Sequence, residues 1–328
     1  MKNNFSKFTV TILSLLLILS FNTAYALDTS GYKLSAENIS KVLNAAHKKF
    51  KDNKDGKNAD YIKALADVDS NLFGITIVTV DGDVYEVGDY KSEFSIQSIS
   101  KVFTVAKAMQ QHGAKAVQEK IGVSATGLAF NSIIAIEQQP ARAAKPFVNA
   151  GAIASTSLIE AKDGKQRWNT IKTNMDDFAG RKLAFNDVVY QSEVNDNKRN
   201  QAISKLLDAY GRMYADPLET TTIYTKQCSV NVSAHDLAVM GSTLANHGIN
   251  PVTKKKVIDS QYPKHVLALM ATAGLYDGAG DWLYNTGTLA KSGVGGGIVA
   301  VIPGKLAIGV FASPLASSGN SGKWSLAA

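Results

Sequence analysis

Cysteine is almost missing from this chain: Cys228 is the only one in 328 residues. No internal disulfide can form, so burial and hydrogen bonding must hold the fold. The same poverty excludes paired-cysteine metal sites, and the five histidines (47, 112, 235, 247 and 265) show no HxH or HExxH spacing. No metal and no cofactor are expected from such a pattern. Long apolar runs are equally scarce. The only one, Val10 to Phe21, is shorter than the ~20 residues a membrane-crossing helix needs, so no stable membrane insertion is expected of the mature chain. Long single-sign charge runs are absent as well: the lysines cluster only at Lys48-Lys49 and Lys254-Lys255-Lys256. A scattered basic surface of that kind argues against a nucleic-acid partner.

The apolar run has neighbours that give it a meaning. Lys2 and Lys7 precede it and Ala24-Tyr25-Ala26 follows it, the pattern of a secretory signal peptide cleaved after about Ala26. An uncleaved anchor is the alternative reading of the same residues. Export points to the periplasm in a two-membrane bacterium. Beyond the signal (1–26), residues 27–328 carry 33 Lys+Arg against 28 Asp+Glu, a net of +5, and are long enough for one large domain. With 45% hydrophobic and 19% charged residues, the chain reads as an ordinary globular protein.

Periodicity supplies the elements. Ile39, Val42, Leu43, Ala46 and Phe50 recur at helical spacing after Ser35, a candidate N-cap. The run 73–80, then Asp81-Gly82, then 84–87, predicts a β-hairpin with a type I′ turn. A second hairpin is expected from 297–302 and 306–311 around Pro303-Gly304. Between the ends the chain reads as helical, over 98–111, 202–210 and 237–245, the last opened by the capping box Ser233-x-x-Asp236. The implied class is α/β (α+β): an antiparallel sheet built from both chain ends with an inserted helical subdomain at about 100–250. No linker or repeat divides it.

The candidate chemistry begins at Ser98-Ile99-Ser100-Lys101. A serine at a helix start meets the positive end of the helix dipole, and a partly buried lysine one turn on can lose its proton and act as its base. By itself Ser-x-x-Lys equally describes a capped helix with a solvated lysine. A second element, Lys291-Ser292-Gly293-Val294-Gly295-Gly296-Gly297, has the form of the Lys-Thr/Ser-Gly strand that borders the site in Ser-x-x-Lys acyl-transfer enzymes, bringing a cation and backbone N–H groups to the acyl oxygen.

The chain resembles the serine-dependent glutaminases of the β-lactamase/D,D-peptidase-like fold, from about Ser35 to Ser321. The blocks that carry the resemblance include 56–62, 94–103, 126–132, 146–153, Ser192-Glu193 with Arg199-Asn200, 224–230, 273–277 and 291–298. Residue by residue, the resemblance implies Ser98 as nucleophile and Lys101 as its base. Tyr61 and Tyr276 would share proton transfer to the leaving ammonia. Asn149, Glu193, Asn200 and Tyr224 would hold the α-amino and α-carboxylate groups of L-glutamine, and the N–H groups of Val294 and Ser98 would form the oxyanion hole. A carboxylate for an ammonium and neutral donors for a carboxylate suit a zwitterionic substrate. Relatives also imply a homo-oligomer, dimer or tetramer. Two departures touch loops: Ala144-Lys145-Pro146-Phe147 replaces a Pro-x-Asn-Pro run, and Gly319-Asn320-Ser321 leads into a short tail. A penicillin-recognising hydrolase would share both serine-lysine elements, but no Ser-Asp-Asn element stands in the middle of the chain. An amino-acid binding protein without turnover is the non-enzymatic alternative. Whether Cys228 is buried or reactive is left open.

Overall fold

The computed structural model describes residues 35–125, 127–138, 145–316 and 319–322. The signal-peptide and cleavage-site expectations lie outside the described residues. The chain divides into Met1–Lys41 and Val42–Ala328. Within the first unit only the opening of helix α1 (Ala36–Phe50) is described, and the Ser35 hydroxyl accepts there from the Asn38 N–H, a helix-entry contact close to the expected cap.

The second unit is organised on one five-stranded antiparallel sheet in the order β2-β1-β7-β6-β5, with β1 Phe73–Thr79, β2 Val84–Gly88, β5 Leu289–Ser292, β6 Gly297–Ile302 and β7 Leu306–Ala312. Strands from the two ends meet at the β1/β7 pair, where Ile75 opposes Val310. Both faces of β6 and β7 are buried, so each reads as a continuous apolar run and not as an alternation. Val299, Val301 and Phe311 enter the helical core, whereas Ile298, Ala300 and Val310 point to the opposite face with Leu43 and Trp282. The C-terminal hairpin has the expected register, Ile302 opposite Leu306.

The first hairpin corrects the expected turn. Val78 pairs with Val84, the Thr79 N–H donates to Asp83 O, and the Gly82 N–H donates to Thr79 O. The loop is therefore longer than two residues. Gly82 has φ +102° while Asp81 is not in the positive region, so a type I′ turn, which needs both, is excluded.

The helical region contains α2 (Ser100–His112), α3 (Asn149–Leu158), α4 (Gly164–Ala179), α5 (Asp187–Val194), α6 (Lys198–Ala209), α7 (Pro217–Cys228) and α8 (Ala234–Ala245). Side chains of Asp163, Asn186, Asp216 and Ser233 cap α4, α5, α7 and α8, and Ser233 with Asp236 forms the reciprocal capping box. Each such cap stabilises its helix by ~1 kcal/mol. Helix α2 is buried nearly all round over residues 100–109 and is pinned by polar contacts: Asn174 Nδ2 donates to Phe103 O at 3.0 Å and Thr104 Oγ1 to Gln227 Oε1 at 2.9 Å. Helix α8 lies close on the sheet because glycines permit it. A Cβ at Gly309 would stand 2.1 Å from Ala234 O, and one at Gly241 would stand 2.6 Å from Val299. A two-stranded pair, β3 (Phe94–Ser95) with β4 (Asn231–Val232), delivers the chain to Ser98.

Candidate active site

Ser98 does not sit inside α2. It occupies a short 3-10 turn, Gln97–Ile99, that feeds α2 at Ser100, with the Ser98 side chain facing an open cavity of about 780 Å³. Gln97, just before it, has φ +50°, one of four non-glycine residues in the left-handed region among the described residues. Tyr276, with φ +56°, is another. Such conformations cost ~1–3 kcal/mol each and persist only where the surroundings impose them.

The surroundings at Gln97 are visible. The glycine-rich segment after β5 lies against the backbone that precedes Ser98. A Cβ at Gly293 would stand 2.8 Å from Ile96 O, one at Gly295 would stand 2.4 Å from Ser95 O, and one at Gly297 would enter the Phe94 ring. The glycines of the 291–298 motif are thus a backbone-to-backbone contact. They bring Val294 to the cavity wall beside Ser98, and neither residue's N–H donates a backbone hydrogen bond among the described residues.

Lys101 is completely buried one turn beyond Ser98, and burial lowers its ammonium pKa to about 8. Its Nζ donates to Asn149 Oδ1 at 2.8 Å and stands 5.9 Å from the centre of the Tyr224 ring. The Tyr224 hydroxyl donates to the same Asn149 oxygen at 3.1 Å, and Asn149 Nδ2 donates to Asn200 Oδ1 at 3.1 Å. One chain of hydrogen bonds therefore joins α2, α3, α6 and α7. Glu193, from α5, enters the same cavity. Burial raises its carboxyl pKa to about 7, against the opposing effect of the Gln97 Nε2 donor at 2.6 Å from Oε1.

The two tyrosines differ. Tyr61 stands at the cavity wall with 60% of its surface exposed. The Tyr276 hydroxyl is buried, and burial pushes its phenol up to about 12, moderated by the Ser98 and Ser292 hydroxyls. It approaches both without reaching ordinary hydrogen-bond geometry with either.

Of the candidate residues named from the sequence, Tyr61, Ser98, Asn149, Glu193, Asn200, Tyr224 and Val294 line the cavity directly, whereas Lys101, Tyr276 and Lys291 do not. Gln97, which steadies Glu193, is a polar partner that sequence reasoning missed; its position beside the nucleophile was the available signal. Lys291 corrects an expectation. It is not a cation presented to an acyl oxygen: it is fully buried, donates from Nζ to Ser292 O at 2.6 Å, and stands 4.5 Å from the centre of the Tyr276 ring. Burial, then the positive charges of Lys101 and Lys145, hold its pKa well below the ordinary lysine value. Cys228 is buried and free, its thiol pushed up to about 12 by burial, so it is a poor nucleophile.

The family model described as Glutaminase matches residues 56–325. The chain belongs to the glutaminase family. A glutaminase of Colwellia psychrerythraea is 52% identical over 283 residues, covering 86% of this chain and 91% of that protein. Among solved structures, a probable glutaminase, ybaS, superposes with a TM-score of 0.87 at 45% identity, over 88% of this chain and 94% of the other. A probable glutaminase from Bacillus subtilis complexed with 6-diazo-5-oxo-L-norleucine gives a TM-score of 0.81 at 27% identity, over 90% and 95%. This glutaminase accordingly has the β-lactamase-like fold of its relatives: the antiparallel sheet from both chain ends, with helices inserted between, is the architecture they share.

Proposed function

We propose that the protein hydrolyses L-glutamine to L-glutamate and ammonia through an acyl-enzyme on Ser98. The observation that carries this reading is the fully buried Lys101 amine, with its pKa lowered to about 8, one turn from a serine that opens onto a cavity whose wall also carries the Glu193 carboxylate, the Asn149 and Asn200 amides and the Tyr224 phenol. A lysine of that kind is neutral in a useful fraction at neutral pH and can take the Ser98 proton. The ligand of the Bacillus subtilis relative, an amino acid with a carbonyl at the fifth carbon, supports an amino-acid substrate whose reacting carbon is Cδ.

Glu193 receives the α-ammonium. The second hydrogen of Asn149 Nδ2 and the Asn200 amide receive the α-carboxylate, and the Tyr224 hydroxyl joins them by turning its hydrogen from Asn149 Oδ1 to the substrate. This places the δ-amide at Ser98, with the N–H groups of Ser98 and Val294 facing the oxygen on which charge develops. Lys101 takes the serine proton as Oγ attacks Cδ. The tetrahedral intermediate then expels the nitrogen, which takes a proton from Tyr276 or Tyr61. The proton held by Lys101 restores the phenol, and water then attacks the γ-glutamyl ester with the neutral Lys101 as base, freeing L-glutamate and Ser98. Cleavage after about Ala26 would deliver the enzyme to the periplasm, and assembly would be as a dimer or tetramer. Fractionation with N-terminal sequencing and light scattering test those two points. The reaction is tested by ammonia release from L-glutamine, with L-asparagine and the Ser98→Ala protein as controls. Release from glutamine that the variant loses supports the reading, and release that the variant keeps removes Ser98 from it.

A further inference from the structure

Three hydroxyls converge at the back wall of the cavity, and the reaction above uses two of them, Ser98, which lines it, and Tyr276. The third is Ser292, at the end of β5. Its Oγ and the Tyr276 Oη are both buried with no hydrogen-bond partner among the described residues, each lying just outside bonding geometry with the other. A buried unpaired hydroxyl is destabilising, and two side by side call for a reason.

The backbone holds them there firmly. The Ser292 N–H donates to Gly274 O at 3.2 Å, two residues before Tyr276. A Cβ at Gly274 would stand only 1.6 Å from Ala290 O, so the two segments touch backbone to backbone. Tyr276 itself is held at φ +56°, and Lys291 closes over its ring at 4.5 Å. Nothing in this packing needs a hydroxyl at position 292, since Ser292 is fully buried beside the phenol and donates its side chain to no other described group.

We propose that Ser292 is a positioning residue for Tyr276, aligning the phenol from which the departing nitrogen of the tetrahedral intermediate takes its proton. The inference rests on the acyl-enzyme reading above. As the C–N bond breaks, the nitrogen takes the Tyr276 hydrogen and leaves as ammonia. The Ser292 O–H donates to the transient phenolate, and the proton that Lys101 took from Ser98 restores the phenol. Protons balance with no other reactant.

The test separates leaving groups. An amide nitrogen must be protonated to leave, whereas 4-nitrophenolate leaves without a proton. Ser292→Ala is expected to lower kcat for glutamine by about 10- to 100-fold, part of the ~10²–10⁴-fold that general acid–base catalysis contributes, with KM within about threefold. The pre-steady-state burst from the γ-(4-nitrophenyl) ester of L-glutamate should stay within about threefold of the parent enzyme. Ser292→Thr, which keeps the hydroxyl, should recover glutamine turnover to within about fivefold. Adding Ser292→Ala to Tyr276→Phe should cost less than about twofold more. Should the alanine protein fail to fold, as a melt would reveal, Ser292→Cys carries the same comparison with a poorer hydrogen-bonding group of similar size. Equal slowing of both substrates, or no slowing of either, overturns the proposal. A fully active Ser98→Ala enzyme would instead remove the acyl-enzyme reading beneath it.

Discussion

Replacing Glu193 by glutamine should weaken glutamine binding about 100-fold at pH 8 while leaving the chemical step nearly intact. Burial raises this carboxyl from its ordinary 4.5 to about 7, with the Gln97 amide at 2.6 Å opposing that rise. At ~1.4 kcal/mol per pKa unit, the ionised form is disfavoured there by about 3 kcal/mol. An ammonium seated against it restores an interaction of that size, within the ~2–5 kcal/mol that truncating one partner of a buried charge pair costs. About 3 kcal/mol is ~100-fold in affinity. The effect must shrink with pH. At pH 6 only about one Glu193 in ten is ionised if its pKa is about 7, so the gap between parent and Glu193→Gln should narrow about tenfold. Stability should move in the opposite sense. A carboxyl whose folded pKa is raised stabilises the folded state most below the unfolded pKa, and loses that advantage as pH rises through about 7. Without substrate, Glu193→Gln should therefore melt higher than the parent at pH 8, with the difference vanishing towards pH 4.5. Steady-state KM at pH 6, 7 and 8, with melting curves of the empty proteins, checks both. A change in KM under about threefold at pH 8, or a loss confined to kcat, would refute the placement of the ammonium.

Other expectations follow from neighbouring residues. Because Lys101 acts as a base only when neutral and Glu193 binds an ammonium only when ionised, kcat/KM should climb with pH through about 7 and about 8; a profile falling across that range would contradict both assignments. Gly295→Ala places a Cβ 2.4 Å from Ser95 O and should cost about 1–3 kcal/mol of stability by overpacking, with at least tenfold loss of turnover because the Ser98 backbone shifts. Denaturant melts and kcat would show this. Cys228, 3% exposed with its thiol pushed up to about 12, should resist a thiol reagent at pH 8 until the protein is unfolded, and rapid native labelling would disprove its burial.

The parts of the fold that were legible in the sequence are those whose burial differs from one side to the other or whose turns are chemically marked. The capping box at Ser233 and the Pro303-Gly304 hairpin are of this kind. Helix α3, Asn-Ala-Gly-Ala-Ile-Ala-Ser-Thr-Ser-Leu, is buried on every side, so it has no polar face for a 3.6-residue period to reveal. The pair β3/β4 is two residues long per strand and exists only through tertiary pairing. The type of the Asp81-Gly82 turn is not legible in its two residues because it depends on register, which the strands fix together with β7. That most of the motif residues gather round one cavity was legible in the sequence. Their couplings were not, because the Gln97 to Glu193 bond spans 96 positions and Lys291 is placed over the Tyr276 ring only by tertiary packing. A lysine in a recognisable triplet does not announce whether it faces solvent.

The most direct test of the central claim is to look for the ester itself. The parent enzyme mixed with L-glutamine, quenched in acid within milliseconds and digested, should yield the peptide containing Ser98 with the added mass of one γ-glutamyl group, and Ser98→Ala should yield none and release no ammonia. An adduct on another residue, or an Ser98→Ala protein that still turns over glutamine, would contradict the account.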